Sequence, residues 1–457
     1  MPYATDATAA TIPLIPVTAE QLKDVLHTLP ESQRNWAETQ GFTARAGQHC
    51  CLPDDQGQLV GVLYTPPAQN DLLQVAALAS ALPAGSYRLP EALTAQQRQL
   101  AALGWGLESY RFDRYRQRRK PAAKLLLDGD WADEVRALCE AQWLVRDLVN
   151  TPTEDMGPET LAQALISAGD AHGAETECLR GDALLTENYP AIHAVGRAAS
   201  TPPLLAKLRW GKSEHPLLVL VGKGVVFDSG GLNIKPGGSM ALMKKDMGGA
   251  AHVIALAQLI MQARLPVQLL VLMPCVENAI AGNAYRPGDV IHTRLGKTIE
   301  IGNTDAEGRM ILCDALAEAM ELAPDLVLDY ATLTGAARVA MGPDIPPIFA
   351  NDKALARGLM DAGEAVADLL WELPLHAPYL DMMKSDIADL NNAGKGGFAG
   401  AITAALFLQE FVKPEIPWCH FDTFAWSPKA QPARPLGGEA LGLRASFRYL
   451  QQRYESS

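Results

Sequence analysis

A chain of 457 residues, 48% hydrophobic and 20% charged, has the composition of an ordinary globular protein and the length for two domains. Its formal net charge of −13 offers no general attraction to nucleic acid or to an anionic membrane surface. Seven scattered cysteines with no Cys-x-x-Cys pair argue against a zinc knuckle and a disulfide framework, and suit a reducing compartment.

The start, Met-Pro-Tyr-Ala-Thr-Asp, has no basic segment and no long apolar segment, and no apolar run reaches membrane-spanning length. A cytoplasmic protein is therefore expected. Residues 1–145 read as a smaller N-terminal α/β domain. Gln-rich helical patterns such as 95–103 alternate there with short strand candidates such as 59–64. Arg111, Arg114, Arg116, Arg118, Arg119 and Lys120 form a basic run closed by Pro121. In so acidic a chain it reads as solvated surface or subunit contact rather than a polyanion site. A helix is predicted over 131–149, with Leu138, Trp143, Leu144 and Leu148 on one face. Asn150-Thr151-Pro152-Thr153 ends it, and the domain boundary is placed there.

Residues 146–457 alternate helix and strand. Pro158 opens a helix, further helices are predicted over 250–265 and 307–322, and strands over 217–221, 267–273, 326–330 and 419–424. Continuous apolar strands between helices imply a mostly parallel sheet flanked by helices on both faces, hence the α/β class. Ligands in such sheets bind beyond the carboxyl ends of the strands. Lys223, Asp228 and Thr332 all fall just after strand candidates.

The chemistry is concentrated in Asn303-Thr304-Asp305-Ala306-Glu307-Gly308-Arg309, two carboxylates and a guanidinium in one short motif. Upstream lie Lys223 and Asp228 in Val-Gly-Lys-Gly-Val-Val-Phe-Asp-Ser-Gly-Gly, then Lys235, then Asp246 in Lys-Lys-Asp-Met-Gly-Gly-Ala. Any one of these acids alone is a surface charge or a helix cap. Four of them in glycine-rich loops beside apolar runs point to a binuclear metal site. Two divalent ions roughly 3.5–4 Å apart need bridging carboxylates, and oxygen donors suit hard or borderline cations. Asp305 and Glu307, two apart in an extended segment entering a helix, can point the same way. The chain lacks His-Glu-x-x-His, and its nine histidines show no ligand spacing. His252, in an apolar helix, reads as a packed core residue. The Gly-rich stretch around Lys235 is not a phosphate loop, because Pro236 stands where Ser or Thr belongs. Metal-assisted hydrolysis is the expected reaction class.

These motifs resemble the leucine (cytosol) aminopeptidase family, the M17 dinuclear metallopeptidases. The segment from Asn303 to Arg309 matches its signature. So do the block from Val221 to Ala251, with the spacing of Lys223, Asp228, Lys235 and Asp246, the run Ala331 to Ala336 and, more loosely, Ala399 to Ala405. The likeness covers residues 145–457, which would make residues 146–457 a metallopeptidase catalytic domain.

The resemblance implies that Asp228 and Glu307 bridge two ions, that Lys223 and Asp246 complete the tighter site, and that Asp305 completes the more exchangeable one. As a ligand Lys223 would be neutral. Lys235 would hold the developing oxyanion. Arg309 would hold a bicarbonate that acts as general base on the water between the ions. The substrate's free α-amine would bind the exchangeable ion, giving release of leucine-like N-terminal residues from peptides. Met243 resembles the wall of the first side-chain pocket, and Asn303, Thr332, Leu333 and Gly335 the substrate-contacting segment. The implied ions are manganese or zinc, with magnesium also compatible, and the implied assembly is a homohexamer. Departures are Met310 for the usual leucine, Leu232-Asn233 before Ile234-Lys235, the ending Gly437 to Ala440, and an N-terminal domain that matches only near 105–115. They bear on specificity and assembly rather than chemistry. A DNA-binding accessory role is the competing class, and the acidic charge with its single basic run argues against nucleic acid as the main partner. An inactive structural homologue is the third, and every implied ligand being present argues against it.

Overall fold

The computed structural model describes residues 2–4, 10–67, 70–116 and 123–455. Arg118, Arg119, Lys120 and Pro121 of the basic run lie outside the described residues, as do Met1, Thr5 and Asp6. The described part of that run begins as an anchor, because the Arg111 guanidinium donates to the carbonyls of Glu108 and Tyr110 at 2.8 and 2.6 Å.

The chain divides into two compact units, Met1–Trp143 with Lys429–Leu436, and Leu144–Pro428 with Gly437–Ser457. In the first, β1 (Tyr3–Ala4), β2 (Ile12–Pro16), β3 (His49–Pro53), β4 (Leu59–Tyr64), β5 (Gly85–Arg88) and β6 (Ala123–Leu126) form a sheet in the order β1-β6-β5-β2-β4-β3. Only β3–β4 is antiparallel. The Gln-rich pattern is the helix Ala95–Glu108, which a Thr94–Gln97 capping box opens. The predicted helix near 131–149 is Ala132–Asn150.

The second unit adds β7 (Glu175–Arg180), β8 (Leu204–Trp210), β9 (Leu217–Gly222), β10 (Gly224–Asp228), β11 (Gln268–Asn278), β12 (Val290–His292), β13 (Thr298–Glu300), β14 (Leu326–Ala331), β15 (Pro347–Ala350), β16 (Trp371–Glu372), β17 (Leu390–Asn391) and β18 (Trp418–Asp422). The large sheet runs β16-β15-β18-β14-β9-β11-β8-β7, with β10 also on β11. Its centre, β18-β14-β9-β11, is parallel. The antiparallel pairs β15–β18, β8–β11 and β7–β8 lie toward its edges. The fold is thus α/β, with a mostly parallel large sheet in the second unit, as the alternation predicts.

Two departures matter for the site. The strand predicted over 267–273 continues to Asn278, and Gly224–Asp228, read from the sequence as a glycine-rich loop, is a strand. The two are one event. β9 pairs with β11 as far as Leu272, and β10 pairs with it again from Cys275 to Asn278. The interruption falls at Lys223, whose N–H donates to Tyr330 O and whose carbonyl accepts from Ala250 N, both at 2.9 Å. A five-residue strand that pairs only with the far end of a long one carries little periodic signal of its own.

Helices cover both faces. On one, Val219, Val221, Leu270, Leu272, Val327 and Ala331 pack with Met310, Ile311 and Ala315 of the helix Glu307–Glu321, and with Phe407 of the helix Gly400–Gln409. On the other lies the helix Gly248–Ala263, so close that a Cβ at Gly249 would stand 2.1 Å from Tyr330 O. His252 on this helix is fully buried, as expected. Its Nδ1–H donates to Gly248 O at 2.6 Å and its Nε2 accepts from Leu441 N at 2.9 Å. Cys275 and Cys313 are buried free thiols. Among the described residues no helix is long and apolar enough to cross a membrane.

Candidate metal centre

The candidate residues converge at the carboxyl ends of the central strands, where a parallel sheet exposes loops rather than ladder. Lys223 follows β9, Asp228 ends β10, and Thr332 follows β14. Asp246 sits on a short 3₁₀ helix, Met243–Met247, rather than in a loop. Glu307 is the first residue of its helix, with Asp305 on the turn before it.

Carboxylate oxygens of Asp228, Asp305 and Glu307 lie within 4.8 Å of one another. Asp246 joins through Lys223, whose Nζ is 2.8 Å from Asp246 Oδ2, 2.8 Å from Glu307 Oε1 and 3.2 Å from Thr332 O. Lys235 Nζ closes the other side, 2.8 Å from Asp228 Oδ2 and 2.5 Å from Asp305 Oδ1. Gly308 admits the lysine: a Cβ there would stand 2.7 Å from Lys223 Cε. At Gly230 φ is +87°, and a side chain would also strike Asn233 O.

The electrostatics are unbalanced toward the anions. Burial opposes a charge on Lys223, yet Asp246, Glu307 and Asp228 hold its pKa well above the ordinary lysine value. Burial likewise opposes a charge on Lys235, and Asp228 and Asp305 outweigh it. Asp246 would be raised by burial, but Lys223 and Lys245 bring it down to about 2. Burial, then Asp228, pushes Glu307 up to about 8, and the same two causes raise Asp305. Even with Lys245 beside Asp246, three ammonium groups face four carboxylates in this space. The donor set, carboxylate oxygens with one amine, suits a pair of borderline divalent cations. By this measure the residues fit a dinuclear centre.

Arg309 is buried on the same side. Its Nη1 donates to Asn392 O at 2.8 Å, its guanidinium lies 5.8 Å from the Phe407 ring centre, and its Nε has no hydrogen-bond partner. Burial lowers its pKa to about 10, against the pull of Glu307. It lines a cleft of about 300 Å³ together with Asn303, Asp305, Leu333, Gly335 and Phe398. Of the candidate substrate contacts, Asn303, Leu333 and Gly335 thus share that cleft. Met243 does not line it and is buried beside Asp246 on the 3₁₀ helix. The Thr332 hydroxyl is engaged, donating to Asp246 Oδ1 at 2.8 Å.

Four residues with no role in the sequence reading shape the site. Asn278 Nδ2 donates to Asp228 Oδ1 at 2.8 Å and to Thr304 O at 3.0 Å. Asn392 Oδ1 accepts from Gly302 N and Asn303 N, and its Nδ2 donates to Asn303 O. Asp422 Oδ1 accepts from Leu333 N and Thr334 N, and its Oδ2 from the Thr334 hydroxyl. Lys245, fully buried, lies 3.6 Å from Asp246 Oδ1. Asn278 and Asp422 end parallel strands, a position that marks both as candidates once the strands are delimited.

Known proteins are similar to this chain over most of its length. Residues 143–446 match the cytosol aminopeptidase family catalytic domain, and residues 12–128 match the M17 aminopeptidase N-terminal domain. The latter match extends well beyond the short stretch near 105–115 in which the sequence motifs resemble the family. A probable cytosol aminopeptidase of Geobacter sp. (strain M21) is 38% identical over 455 residues, covering 91% of each chain. That of Syntrophotalea carbinolica is 43% identical over 373 residues, covering 78% of this chain and 75% of its own. The crystal structure of cytosol aminopeptidase from Coxiella burnetii superposes with a TM-score of 0.96 at 48% identity, covering 99% of both chains. The bottromycin maturation enzyme BotP in complex with Mn superposes with a TM-score of 0.87 at 31% identity, covering 97% of this chain and all of that one.

Proposed function

This chain belongs to the cytosol aminopeptidase family and is on that ground a metal-dependent peptidase; we propose that it releases leucine-like N-terminal residues through a dinuclear centre held by Lys223, Asp228, Asp246, Asp305 and Glu307. The observation that carries this reading is the convergence of four carboxylates on two lysines at the strand ends. Asp228 and Glu307 would be shared by the two ions, Lys223 and Asp246 would complete the site of one, and Asp305 that of the other. The carboxylates that retain the proton on Lys223 are the ones that would hold the ions, and with the ions bound Lys223 would serve as a neutral amine ligand. When bound, the ions supply Lewis-acid polarisation of the scissile carbonyl and lower the pKa of the attacking water.

The remaining work falls to side chains. Lys235 stays charged and donates to the oxygen on which charge develops. Arg309 would hold a bicarbonate, which would supply a general base beside the attacking water. Met243 walls the pocket for the first side chain, and Asn303, Thr332, Leu333 and Gly335 position the peptide. Manganese is the ion favoured here, in line with the Mn complex of the similar BotP, and zinc is the alternative. Residues 1–145 serve as the N-terminal domain and 146–457 as the catalytic one, in a cytoplasmic homohexamer.

Hydrolysis of L-leucine p-nitroanilide, measured after chelation and again after adding manganese or zinc, tests the reading. The expected result is activity lost on chelation and restored by metal, with two ions bound per chain. Folded protein that stays inactive with every metal would refute it.

A further inference from the structure

The cleft beside Arg309 ends in a side chain that none of the roles above uses. Phe398 lines this cleft and is nevertheless 81% exposed, more than any other large aromatic ring among the described residues. It sits on a segment tethered at both ends, by Lys395 N donating to Met382 O at 3.0 Å and by Ala399 O accepting from Thr403 N at 2.9 Å. Between the tethers, φ is +90° at Gly396, +74° at Gly397 and +53° at Ala399. The two glycines adopt this region without strain, so the backbone can present a bulky ring at the mouth of the cleft. That ring loses its contact with water only when something apolar enters beside it.

The contents of the cleft indicate which part of a peptide that is. Arg309, Leu333 and Gly335 line it and Met243 does not. If the first side chain goes to Met243, this cleft takes the residue beyond the scissile bond. Its only charged lining residues are Asp305 and Arg309, both committed to the centre, and the rest include Ala306, Ala336 and Ala393. An apolar second side chain would find Phe398 there.

We propose that Phe398 determines specificity for the second residue of the peptide, its ring packing on an apolar and above all an aromatic side chain at that position. This rests on the aminopeptidase reading above.

The test is kcat/KM of the manganese-loaded enzyme on Leu-Phe, Leu-Ser, Leu-Asp and L-leucinamide, for wild type, Phe398→Ser and Phe398→Leu. Wild type is expected to favour Leu-Phe over Leu-Ser by about tenfold or more, the usual scale for an apolar contact in a pocket. Phe398→Ser should remove most of that ratio, through KM more than through kcat, and Phe398→Leu should keep most of it. A wild type that does not distinguish the two dipeptides, or a ratio unchanged in Phe398→Ser, overturns the inference. Hydrolysis of leucinamide alongside either result leaves the aminopeptidase reading standing. Failure to cleave any of the four substrates overturns that reading and this inference together.

Discussion

Arg309 is an arginine that the fold buries without a paired carboxylate within ion-pair distance among the described residues. A buried guanidinium needs compensation for the hydration it gives up. One carbonyl and one aromatic face supply part of it, and Nε remains unpartnered. An unsatisfied charged donor beside a cleft is what a small bound anion would satisfy. Arg309→Ala should therefore lower kcat by about 10²–10³, the scale of a lost general base, while the metal content by elemental analysis stays at the wild-type value. Added bicarbonate should accelerate wild type in carbonate-free buffer and leave the variant unaffected. A variant with wild-type turnover would remove the anion from the mechanism. Arg309 is visible in the sequence because its neighbours Asp305 and Glu307 are local to it. Asn278, Asn392 and Asp422 are not. Their bonds span 50, 83 and 89 positions, to Asp228, Arg309 and Leu333, and nothing in a single chain records which strand ends meet.

Among the elements, legibility follows periodicity. The apolar strands β9 and β14 and the helices Gly248–Ala263 and Glu307–Glu321 stand near their predicted bounds, because their burial is continuous. The short β10 lacks such a run. In the sequence, the glycines around it suggest only a means for backbone to approach the ions. Gly249 shows a further role, the packing of one element on another. A Cβ there would stand 2.1 Å from Tyr330 O and 2.7 Å from Tyr330 C, both backbone atoms of a central strand. Gly249→Ala must therefore push the helix from β14, and with it Ala250 N, which holds the carbonyl of Lys223. A loss of about 1–3 kcal/mol in unfolding free energy is expected, the usual cost of overpacking. Gly237→Ala, where a Cβ meets nothing within 4 Å, should stay within about 0.5 kcal/mol of wild type. Denaturant midpoints of the two variants compare them directly, and equal midpoints would refute the close-packing account.

At the scale of the whole molecule, stability should depend on acid through His252, which joins the helix Gly248–Ala263 to the C-terminal segment at Leu441. Burial brings its pKa down to about 4 from the ordinary 6.5. Both ring nitrogens are used by the neutral form, Nδ1–H as donor to Gly248 O and Nε2 as acceptor from Leu441 N, so a second proton would set one N–H against another. The unfolded chain takes up that proton near pH 6.5 and the folded chain does not until about pH 4. The stabilisation is thus complete above pH 6.5 and is lost as the pH falls toward 4, by an amount on the order of 3 kcal/mol. Asp314 acts in the opposite direction, since burial pushes its carboxyl up to about 7, although backbone N–H groups of Ala191, Ile192 and Arg294 oppose the shift. The raw pH slope therefore mixes signs, and the informative quantity is the difference between wild type and His252→Gln. In chelator, so that ion release does not contribute, the unfolding free energy of wild type should fall more steeply between pH 6.5 and 4.5 than that of the variant, by about one proton's linkage. Parallel slopes would mean that the ring is protonated in the folded protein, and that one of its two hydrogen bonds is not formed as described.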